Sequence, residues 1–462
     1  MLGLDDTQKE AIGLNHVLRR LTPASPYGME KLRQIVPFCC PAIVNRRFNN
    51  IEKLMGYDLT SLRDVLAHFK NIRGILTKLA GGGTLNEVEL FEIKGFLLTL
   101  ERFLPIFNEV NASLQLADIS LLPMTPALDI LDPQKLRVAS FSLDDGFSED
   151  LAAIRRDRPW EEQVAEELRI MSELSIKLCP HISKFRSNID NLGQLDLTMA
   201  KAALAARHNC VRPKISKNTV VLQDMTNPMV AAALAKNSRA MTPVSLTLDA
   251  GVAVITGANM GGKSVAIKTV VLNAALCALG FFVFAGKAEI PLFDSIFLMS
   301  QDMQDTARGL SSFGGEVARL NALSASLNSA RAANLLLIAL DEPARTTNPA
   351  EGAAIVRAIA LWLAKSGQIS LLSTHYDNIT APNARYYRVA GLTNLPQSLS
   401  RAHIADYMDY RLMETAANDP IPRDALKICK LLGLEGSLMS KIESEYFEYT
   451  SKPEITTFNG CL

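Results

Sequence analysis

The sequence TGANMGGKS at residues 256–264 fits the phosphate-loop pattern G-x-x-x-x-G-K-[ST]. A hydrophobic run at residues 252–255 precedes it and predicts a buried strand, and the largely apolar segment 265–279 predicts a helix after it. Glycines let backbone N–H groups turn towards phosphates, and the helix N-terminus adds a favourable dipole. We therefore predict a nucleoside triphosphate site, for ATP, formed by Gly257, Ala258, Asn259, Met260, Gly261, Gly262, Lys263 and Ser264.

Two carboxylates follow a second hydrophobic strand, which is predicted over residues 335–340. An acidic pair at a strand end is common, but it gains meaning downstream of a phosphate loop. Phosphoryl transfer needs a metal and a lysine to neutralise charge, and a carboxylate to orient the attacking water. We therefore predict that Asp341 and Ser264 bind Mg²⁺ and that Glu342 polarises the water.

Further positions are candidates for the same chemistry. His375 follows a strand predicted at residues 369–373, where it could sense the γ-phosphate or be an ordinary surface histidine. Gln304 could contact Mg²⁺ or the attacking water. Ser311 and Ser312 stand where a helix is expected to begin, so they could bind an anion or only cap that helix.

The composition bounds the class of protein. A chain of 462 residues is long enough for two or three domains. Lys plus Arg and Asp plus Glu both number 48, and the resulting net charge of zero removes one reason to expect a nucleic-acid partner. The seven cysteines are scattered without a C-x-x-C pair, which predicts reduced thiols. Neither a signal peptide nor a membrane span is recognisable, so the predicted location is the cytoplasm.

Hydrophobic periodicity predicts a helical first half and a mixed second half. The predicted helices of the first half cover residues 14–21, 29–35, 62–79, about 160–179 and 192–206, with one more that starts at a capping box at 84–87 and runs through Phe103. A strand is predicted near residues 136–141. The second half alternates strands and helices, which is typical of an α/β domain. Its predicted strands are 220–223, 245–248, 252–255, 296–299, 335–340, 369–373 and 386–389, and two short helices are predicted around Gly433.

In this order, the motifs resemble the ATPase domain of the MutS family, a branch of the ABC-type ATPases. The loop at 256–264 is similar to that family's T-G-P-N-M-x-G-K-S. Residues 341–352, DEPARTTNPAEG, resemble its D-E-x-G-R-G-T-x-x-x-D-G, and residues 373–376, STHY, resemble its A-T-H-Y. The sequence SSF at 311–313 resembles its S-T-F signature, which in that family meets the nucleotide of the partner subunit.

The resemblance implies a domain order and a set of ligands. It predicts a helical lever-like domain at residues 1–205, a MutS-type P-loop ATPase domain of the α/β class at 206–415, and a helix-turn-helix dimerisation segment with a tail at 416–462. It also implies a homodimer or pseudo-dimer in which Ser311 and Ser312 act in trans. ATP and Mg²⁺ are the implied ligands.

Departures from the family pattern bear on the partner rather than on ATP binding. The sequence shows no mismatch-recognition domain with its Phe-x-Glu wedge, no connector, no full clamp and no nuclease-like C-terminal domain. Ala344 and Thr346 stand where the family has glycine, and Asn227-Pro228 replaces the usual His-Pro. We therefore expect a family member that is not itself a mismatch sensor.

Three functions compete at this point. The favoured one is remodelling of a bound protein client by ATP-driven dimer closure, and the layout resembles the ATPase subunit of reactivases for cobalamin-dependent lysine aminomutases. The alternative is a mismatch-repair or recombination ATPase that binds double-stranded DNA. The third, a structural scaffold with an inactive site, is disfavoured by the intact Lys263, Ser264, Asp341, Glu342 and His375.

Overall fold

The computed structural model describes residues 2–141, 143, 147, 159–257, 262–300, 312–329, 334–392, 407–417, 419 and 425–451. The chain forms two compact units. The helical unit comprises residues 16–212 and 278–283, and the sheet unit comprises residues 1–15, 213–277 and 284–462. Each unit is therefore assembled from separate stretches of the chain.

Regular structure in the described residues begins and ends as follows. The helices are α1 (Asp6–Ala11), α2 (Leu14–Leu18), α3 (Pro26–Arg33), α4 (Pro41–Met55), α5 (Thr60–Leu66), α6 (Arg73–Ala80), α7 (Glu87–Leu114), α8 (Thr125–Leu131), α9 (Trp160–Leu178), α10 (Ile182–Arg207), α11 (Pro228–Ala235), α12 (Lys263–Ala278), α13 (Ser312–Ser329), α14 (Pro349–Ala364), α15 (Ala425–Leu431) and α16 (Gly436–Ser451). The strands are β1 (Lys214–Ile215), β2 (Val220–Met225), β3 (Val244–Leu248), β4 (Gly251–Thr256), β5 (Lys287–Ile290), β6 (Ser295–Met299), β7 (Leu336–Asp341), β8 (Ile369–Ser373), β9 (Arg385–Leu392) and β10 (Met408–Thr415).

Helix α7 starts at a capping box that lies two residues later than the sequence predicted. The Asn86 side chain accepts the Glu89 N–H at 2.9 Å, and the Glu89 carboxylate accepts the Asn86 N–H at 2.8 Å. The prediction at 84–87 is wrong because the pair Asn86 and Glu89 satisfies the same spacing. The helix also continues past Phe103 and ends at Leu114.

Other predictions for the first half are partly confirmed. The helix predicted at 160–179 matches α9, and Pro180 lies in the short 3₁₀ helix that follows it. Residues 62–79 form two helices, α5 and α6, instead of one. The strand predicted at 136–141 is wrong, since Arg137 has a φ of 56°, which is left-handed and incompatible with an extended strand.

Helix α10 covers the predicted helix at 192–206 and begins earlier, at Ile182. Lys201 on this helix is buried, and its Nζ donates to the carbonyl oxygen of Leu279 at 2.7 Å and lies 4.1 Å from the ring centroid of Phe281. Burial lowers the pKa of Lys201 to about 7. This lysine therefore anchors the second, shorter segment of the helical unit.

The sheet unit is built around a six-stranded sheet of order β10-β9-β4-β8-β7-β6. Strands β9, β4, β8, β7 and β6 run parallel, and β10 pairs antiparallel with β9 at the edge. Strands β7 and β8 are buried at every residue, as expected for parallel strands covered on both faces. A smaller sheet has the order β1-β5-β2-β3. The α/β class predicted for this part of the chain is confirmed.

Every strand predicted in the second half is present, as β2, β3, β4, β6, β7, β8 and β9. The sequence missed β1, β5 and β10. Strand β10 was hidden because charged residues such as Asp409, Arg411 and Glu414 interrupt its pattern. Charges of this kind are common on edge strands, where they discourage pairing with another chain.

The first residues of the chain belong to the sheet unit. The Ile296 N–H donates to the carbonyl oxygen of Leu2 at 2.8 Å, within strand β6. The Asn227 Nδ2 donates to the carbonyl oxygen of Ile12 at 3.0 Å. These bonds join residues that are far apart in the sequence.

Helices α15 and α16 flank Gly433, which confirms the two helices predicted there. Gly433 has a φ of 74°, a conformation that favours glycine after a helix. Within the part of the chain that the structure describes, none of the helices combines the length and the apolar content that a membrane span requires.

Candidate functional site

The sequence motifs meet at one edge of the six-stranded sheet because β4, β8 and β7 are neighbours. In the register, Ser373 lies opposite Ile255 on one side and opposite Asp341 on the other. The carboxyl ends of parallel strands share one edge of a sheet, and α/β proteins bind ligands there. The topology therefore brings the phosphate loop and both carboxylates together.

The phosphate loop leaves β4 at Gly257 and enters α12 at Lys263. Gly257 has a φ of 136° and Gly262 a φ of 85°, and a residue with a side chain would be strained at either position. Lys263 and Ser264 lie at the N-terminus of α12, where a helix favours an anion. The remaining predicted loop residues lie outside the described residues: Ala258, Asn259, Met260 and Gly261.

Lys263 is buried and is held by two oxygen atoms. Its Nζ donates to the carbonyl oxygen of Gly257 at 2.6 Å and lies 3.0 Å from Glu342 Oε1. Only 2% of the Lys263 side chain and 5% of the Glu342 side chain are exposed. The Glu342 Oε2 also pairs with a guanidinium nitrogen of Arg345 at 3.3 Å. The predicted phosphate-binding lysine and the predicted base therefore form a buried ion pair.

Asp341 is buried at the end of β7 and has two hydroxyl neighbours. Its Oδ1 accepts a hydrogen bond from Ser373 Oγ at 2.7 Å, and the nearby Ser264 hydroxyl lowers the pKa of this carboxyl. Burial raises the pKa of the Asp341 carboxyl, and the two hydroxyls oppose that shift. The two residues predicted to bind Mg²⁺, Asp341 and Ser264, are therefore neighbours.

His375 follows β8 and carries a ring nitrogen that is available for a ligand. Its Nδ1 is buried and has no hydrogen-bond partner among the described residues. The His375 ring centroid lies 4.2 Å from that of Tyr376. Burial lowers the pKa of His375, which favours the neutral imidazole. A neutral ring can donate or accept one hydrogen bond at this nitrogen, depending on its tautomer.

A cavity of about 520 Å³ lies beside Lys263. Its walls include Val230 and Leu234 from α11, and also Met241 and Tyr410. A cavity of this size with apolar walls and a few polar groups suits a small organic ligand. Sequence reasoning missed it because helix α11 and strand β10 carry no motif that marks them.

Helix α11, which forms one wall of the cavity, is fixed by Asn227. The Asn227 Oδ1 accepts the N–H of Met229 at 3.0 Å and that of Val230 at 3.5 Å, and its Nδ2 donates to Ile12 as described above. The Asn227-Pro228 pair, which departs from the family's His-Pro, is therefore an N-cap followed by proline at the first helical position.

The remaining predicted residues are only partly covered by the structure. Gln304 and Ser311 lie outside the described residues. Ser312 is the first residue of α13, so a helix does begin where the sequence predicted one, although its side chain is not among those described.

The donor set fits ATP together with Mg²⁺. Magnesium prefers oxygen ligands, and Ser264 and Asp341 place a hydroxyl near a carboxylate. Lys263 supplies a cation, His375 supplies a buried nitrogen without a partner, and the cavity offers an apolar compartment for a base. The site therefore has the groups that a nucleoside triphosphate and its metal require.

The region around the site matches a known protein family. Residues 253–428 match the model of MutS domain V. The matched region runs from strand β4 into helix α15 and includes Lys263, Asp341, Glu342 and His375.

Curated relatives match over a somewhat longer stretch. Endonuclease MutS2 of Leuconostoc mesenteroides is 32% identical over 217 residues, which are 46% of this chain and 26% of the relative. Endonuclease MutS2 of Leuconostoc citreum is 30% identical over 275 residues, 59% of this chain and 32% of the relative. Endonuclease MutS2 of Streptococcus pneumoniae serotype 19F is 29% identical over 290 residues, 62% of this chain and 34% of the relative.

The match therefore spans about a quarter to a third of the length of these relatives. Sequence similarity and the observed α/β fold agree on the same region of the chain. Residues 253–428 thus match MutS domain V, and the relatives, which carry the name Endonuclease MutS2, agree with this match.

Proposed function

We propose that this chain binds and hydrolyses ATP at the site described above. The observation that carries the proposal is the meeting of Lys263, Asp341 and Glu342 at the carboxyl edge of the sheet, next to a cavity large enough for a nucleoside. The match of residues 253–428 to MutS domain V and the similarity to proteins named Endonuclease MutS2 support the same proposal. A scaffold with an inactive site would not need a buried lysine paired with a buried glutamate.

Each residue has a role in this proposal. Lys263 binds the β- and γ-phosphates, and Glu342 accepts a proton from the water that attacks the γ-phosphorus. Ser264 and Asp341 would hold Mg²⁺, which neutralises phosphate charge when bound. His375 hydrogen-bonds to the γ-phosphate, and Gln304 contacts the metal or the water.

The ion pair between Lys263 and Glu342 links binding to catalysis in this proposal. Lys263 exchanges the Glu342 carboxylate for phosphate oxygens when ATP binds. The exchange leaves Glu342 free to orient water, so the base becomes available only when the substrate is present. The bond from the γ-phosphorus to the ADP oxygen breaks as the water oxygen attacks.

The substitution Lys263→Ala tests the site. We expect turnover to fall about a hundredfold or more, because a preorganised cation is removed from the transferred phosphoryl group. Lys287→Ala, which changes an exposed lysine of the same unit, is the matched control and should keep wild-type turnover. Normal ATP hydrolysis by Lys263→Ala would refute the site assignment.

We also propose that the active form is a dimer in which Ser311 and Ser312 complete the site of the partner subunit, with the C-terminal helices contributing to dimerisation. Mixing the variants Lys263→Ala and Ser312→Ala tests this directly. Each variant alone should be inactive, whereas random pairing should restore about a quarter of wild-type turnover, because half of the dimers carry one intact composite site. Absence of any recovery in mixed dimers would refute action in trans.

The proposed role of ATP-driven closure is to remodel a bound protein client through the helical, lever-like domain. The net charge of zero supports a protein client over DNA. A more specific variant is a reactivase ATPase for a cobalamin-dependent lysine aminomutase. The alternative is a DNA-binding repair or recombination ATPase, and it is favoured by the relatives named Endonuclease MutS2.

The variant Glu342→Gln distinguishes these roles, because it should bind ATP and stall in the closed state. We would isolate it with ATP and Mg²⁺ from its native host and identify what stays bound. Lys263→Ala, which should not close, is the control for adventitious binding. A defined protein in the trapped complex supports remodelling, and an aminomutase would support the reactivase variant. Double-stranded DNA in the complex would refute the protein-client role and favour the alternative.

A further inference from the structure

The loop that follows β7 holds its backbone in an unfavourable conformation. Glu342 has a φ of 48° and Ala344 a φ of 57°, so two residues with side chains lie in the left-handed region within three positions. Each such residue costs about 1–3 kcal/mol and persists only where surrounding contacts hold it. The contacts that hold this loop therefore stabilise a conformation that the loop would not keep by itself.

One of these contacts comes from helix α13. The Glu316 Oε2 accepts the Ala344 N–H at 2.8 Å. Glu316 is half-buried, and burial raises the pKa of its carboxyl. Its bond fixes the N–H side of the Ala344 residue, two positions after Glu342.

A second contact comes from the segment after β8. The Tyr376 hydroxyl donates to the Ala344 carbonyl oxygen at 3.0 Å, and this side chain is buried. Gly352 provides the space for this contact, because a Cβ there would lie 2.7 Å from Tyr376 Cζ and 2.9 Å from the Ala344 oxygen. The backbone of Ala344 is thus held at both its N–H and its carbonyl group.

We propose that Glu316 and Tyr376 are positioning residues that clamp Ala344 and thereby fix the Glu342 carboxylate for catalysis. This inference rests on the proposed ATP hydrolysis. Neither residue contacts the atoms that would react, so both act through the loop. The Glu342 N–H is held in addition by Ser373 Oγ at 3.0 Å, which leaves the Ala344 side of the loop as the part that the clamp must secure.

The clamp also connects helix α13 to Glu342, the proposed base. Residues 312 and 316 are one helical turn apart, and the helix begins at Ser312. A shift of this helix when its first turn meets a nucleotide would move Glu316, then Ala344, then Glu342. The clamp would therefore make hydrolysis sensitive to the state of the proposed dimer.

The test separates positioning from mere stability. Glu316→Ala removes the acceptor, Glu316→Gln keeps an oxygen that can accept the same N–H, and Tyr376→Phe removes the donor. Tyr386→Phe is the matched control, because the Tyr386 hydroxyl bonds the backbone of Ala381 in the same unit, at 2.8 and 3.2 Å. For each variant we would measure kcat, KM, the affinity for a fluorescent ATP analogue, and the unfolding midpoint.

We expect kcat of Glu316→Ala to fall about 10- to 100-fold, because a displacement of about 1 Å at a reacting group can have an effect of this size. KM and analogue affinity should stay within about twofold of wild type, and Glu316→Gln should recover most of kcat. Tyr376→Phe should lower kcat about 3- to 10-fold. Tyr386→Phe should lower the unfolding midpoint without lowering kcat.

Three results would overturn the clamp. Wild-type kcat in both Glu316→Ala and Tyr376→Phe would do so, and so would equal losses in Glu316→Gln and Glu316→Ala. A fall in kcat that tracks the unfolding midpoint across all variants, Tyr386→Phe included, would show a purely structural role. A wild-type chain that binds the analogue but does not hydrolyse ATP would instead refute the proposed function, and this outcome is separate because it needs no variant.

Discussion

Replacing Glu342 with glutamine should have opposite effects on ATP binding and on ATP hydrolysis. Turnover should fall, because glutamine cannot accept a proton from water. ATP affinity should rise, because Lys263 no longer has a carboxylate to leave when it turns to the phosphates. A residue that served only as the base would change turnover alone.

The geometry sets the size of both effects. With Nζ and Oε1 3.0 Å apart, the attraction is about 5 kcal/mol at an effective dielectric constant of about 20, before desolvation is counted. The amide oxygen of glutamine retains a hydrogen bond to Lys263, so the interaction with Lys263 is weakened by less than the full Coulomb attraction. We take this weakening to be about the size of one charged hydrogen bond, about 1.5–3 kcal/mol. We therefore expect ATP to bind about ten- to a hundredfold more tightly. Loss of a general base should lower kcat by about 10²- to 10⁴-fold.

Two assays read these effects separately. Titration with a fluorescent ATP analogue gives Kd, and single-turnover hydrolysis with excess enzyme gives the rate of the chemical step. Glu351→Gln is the matched control, because it makes the same change at an exposed position in the first turn of α14. The control should move neither quantity by more than about twofold.

Three results would count against this reasoning. Unchanged hydrolysis in Glu342→Gln would mean that another residue is the base. Weaker ATP binding would mean that the buried ion pair does not compete with the phosphates. Equal changes in Glu351→Gln would assign both effects to net charge rather than to the pair.

Further predictions concern packing, capping and charge. Gly352→Ala should lower the free energy of unfolding, measured in urea, by about 1–3 kcal/mol, because the new Cβ has no room. Gly95→Ala, whose Cβ would meet open space within helix α7, should not destabilise the chain. Equal effects of the two substitutions would contradict the crowding at Gly352. Asn227→Ala should lower the free energy of unfolding by about 1–3 kcal/mol, and Asn227→Ser, which keeps a cap oxygen but not the donor to Ile12, should lower it less; the reverse order would contradict the capping role. Burial lowers the pKa of Lys201 from 10.5 to about 7, so between these values the unfolded chain binds more protons and stability rises with pH. Lys201→Met should remove up to about 1.4 kcal/mol per pH unit of that rise in the free energy of unfolding. We would measure urea unfolding of the wild type and of Lys201→Met at pH 7.5 and 9.5, and an equal change with pH in the two proteins would contradict the prediction.

The sequence predicted those parts of the fold whose signals are local. Strands such as residues 252–255 and 369–373 are short apolar runs, and burial on both faces explains why they are easy to recognise. Helix α4 was missed although Pro41 begins it, because proline suits the first helical position as well as it ends a helix. Helix boundaries failed where two signals competed, as at Asn86.

The candidate site divides in the same way. Lys263, Asp341 and Glu342 were predictable because a motif marks each of them. Glu316 and Tyr376 were not, since their contact with the loop depends on how distant elements pack and no local pattern records it. The cavity was hidden for the same reason, because its walls come from separate elements.

The sheet unit combines stretches that are far apart in the sequence, and this affects the order of folding during synthesis. Leu2 bonds to Ile296 and Ile12 bonds to Asn227, so residues 2 and 12 must wait for partners that emerge much later. At about 5–20 residues per second, the interval between residues 2 and 296 is roughly 15–60 s on the ribosome. During this time most of the helical unit has already emerged. The sheet unit should therefore be the later of the two to fold, and the segment around Leu2 should stay exposed to chaperones and proteases until β6 emerges.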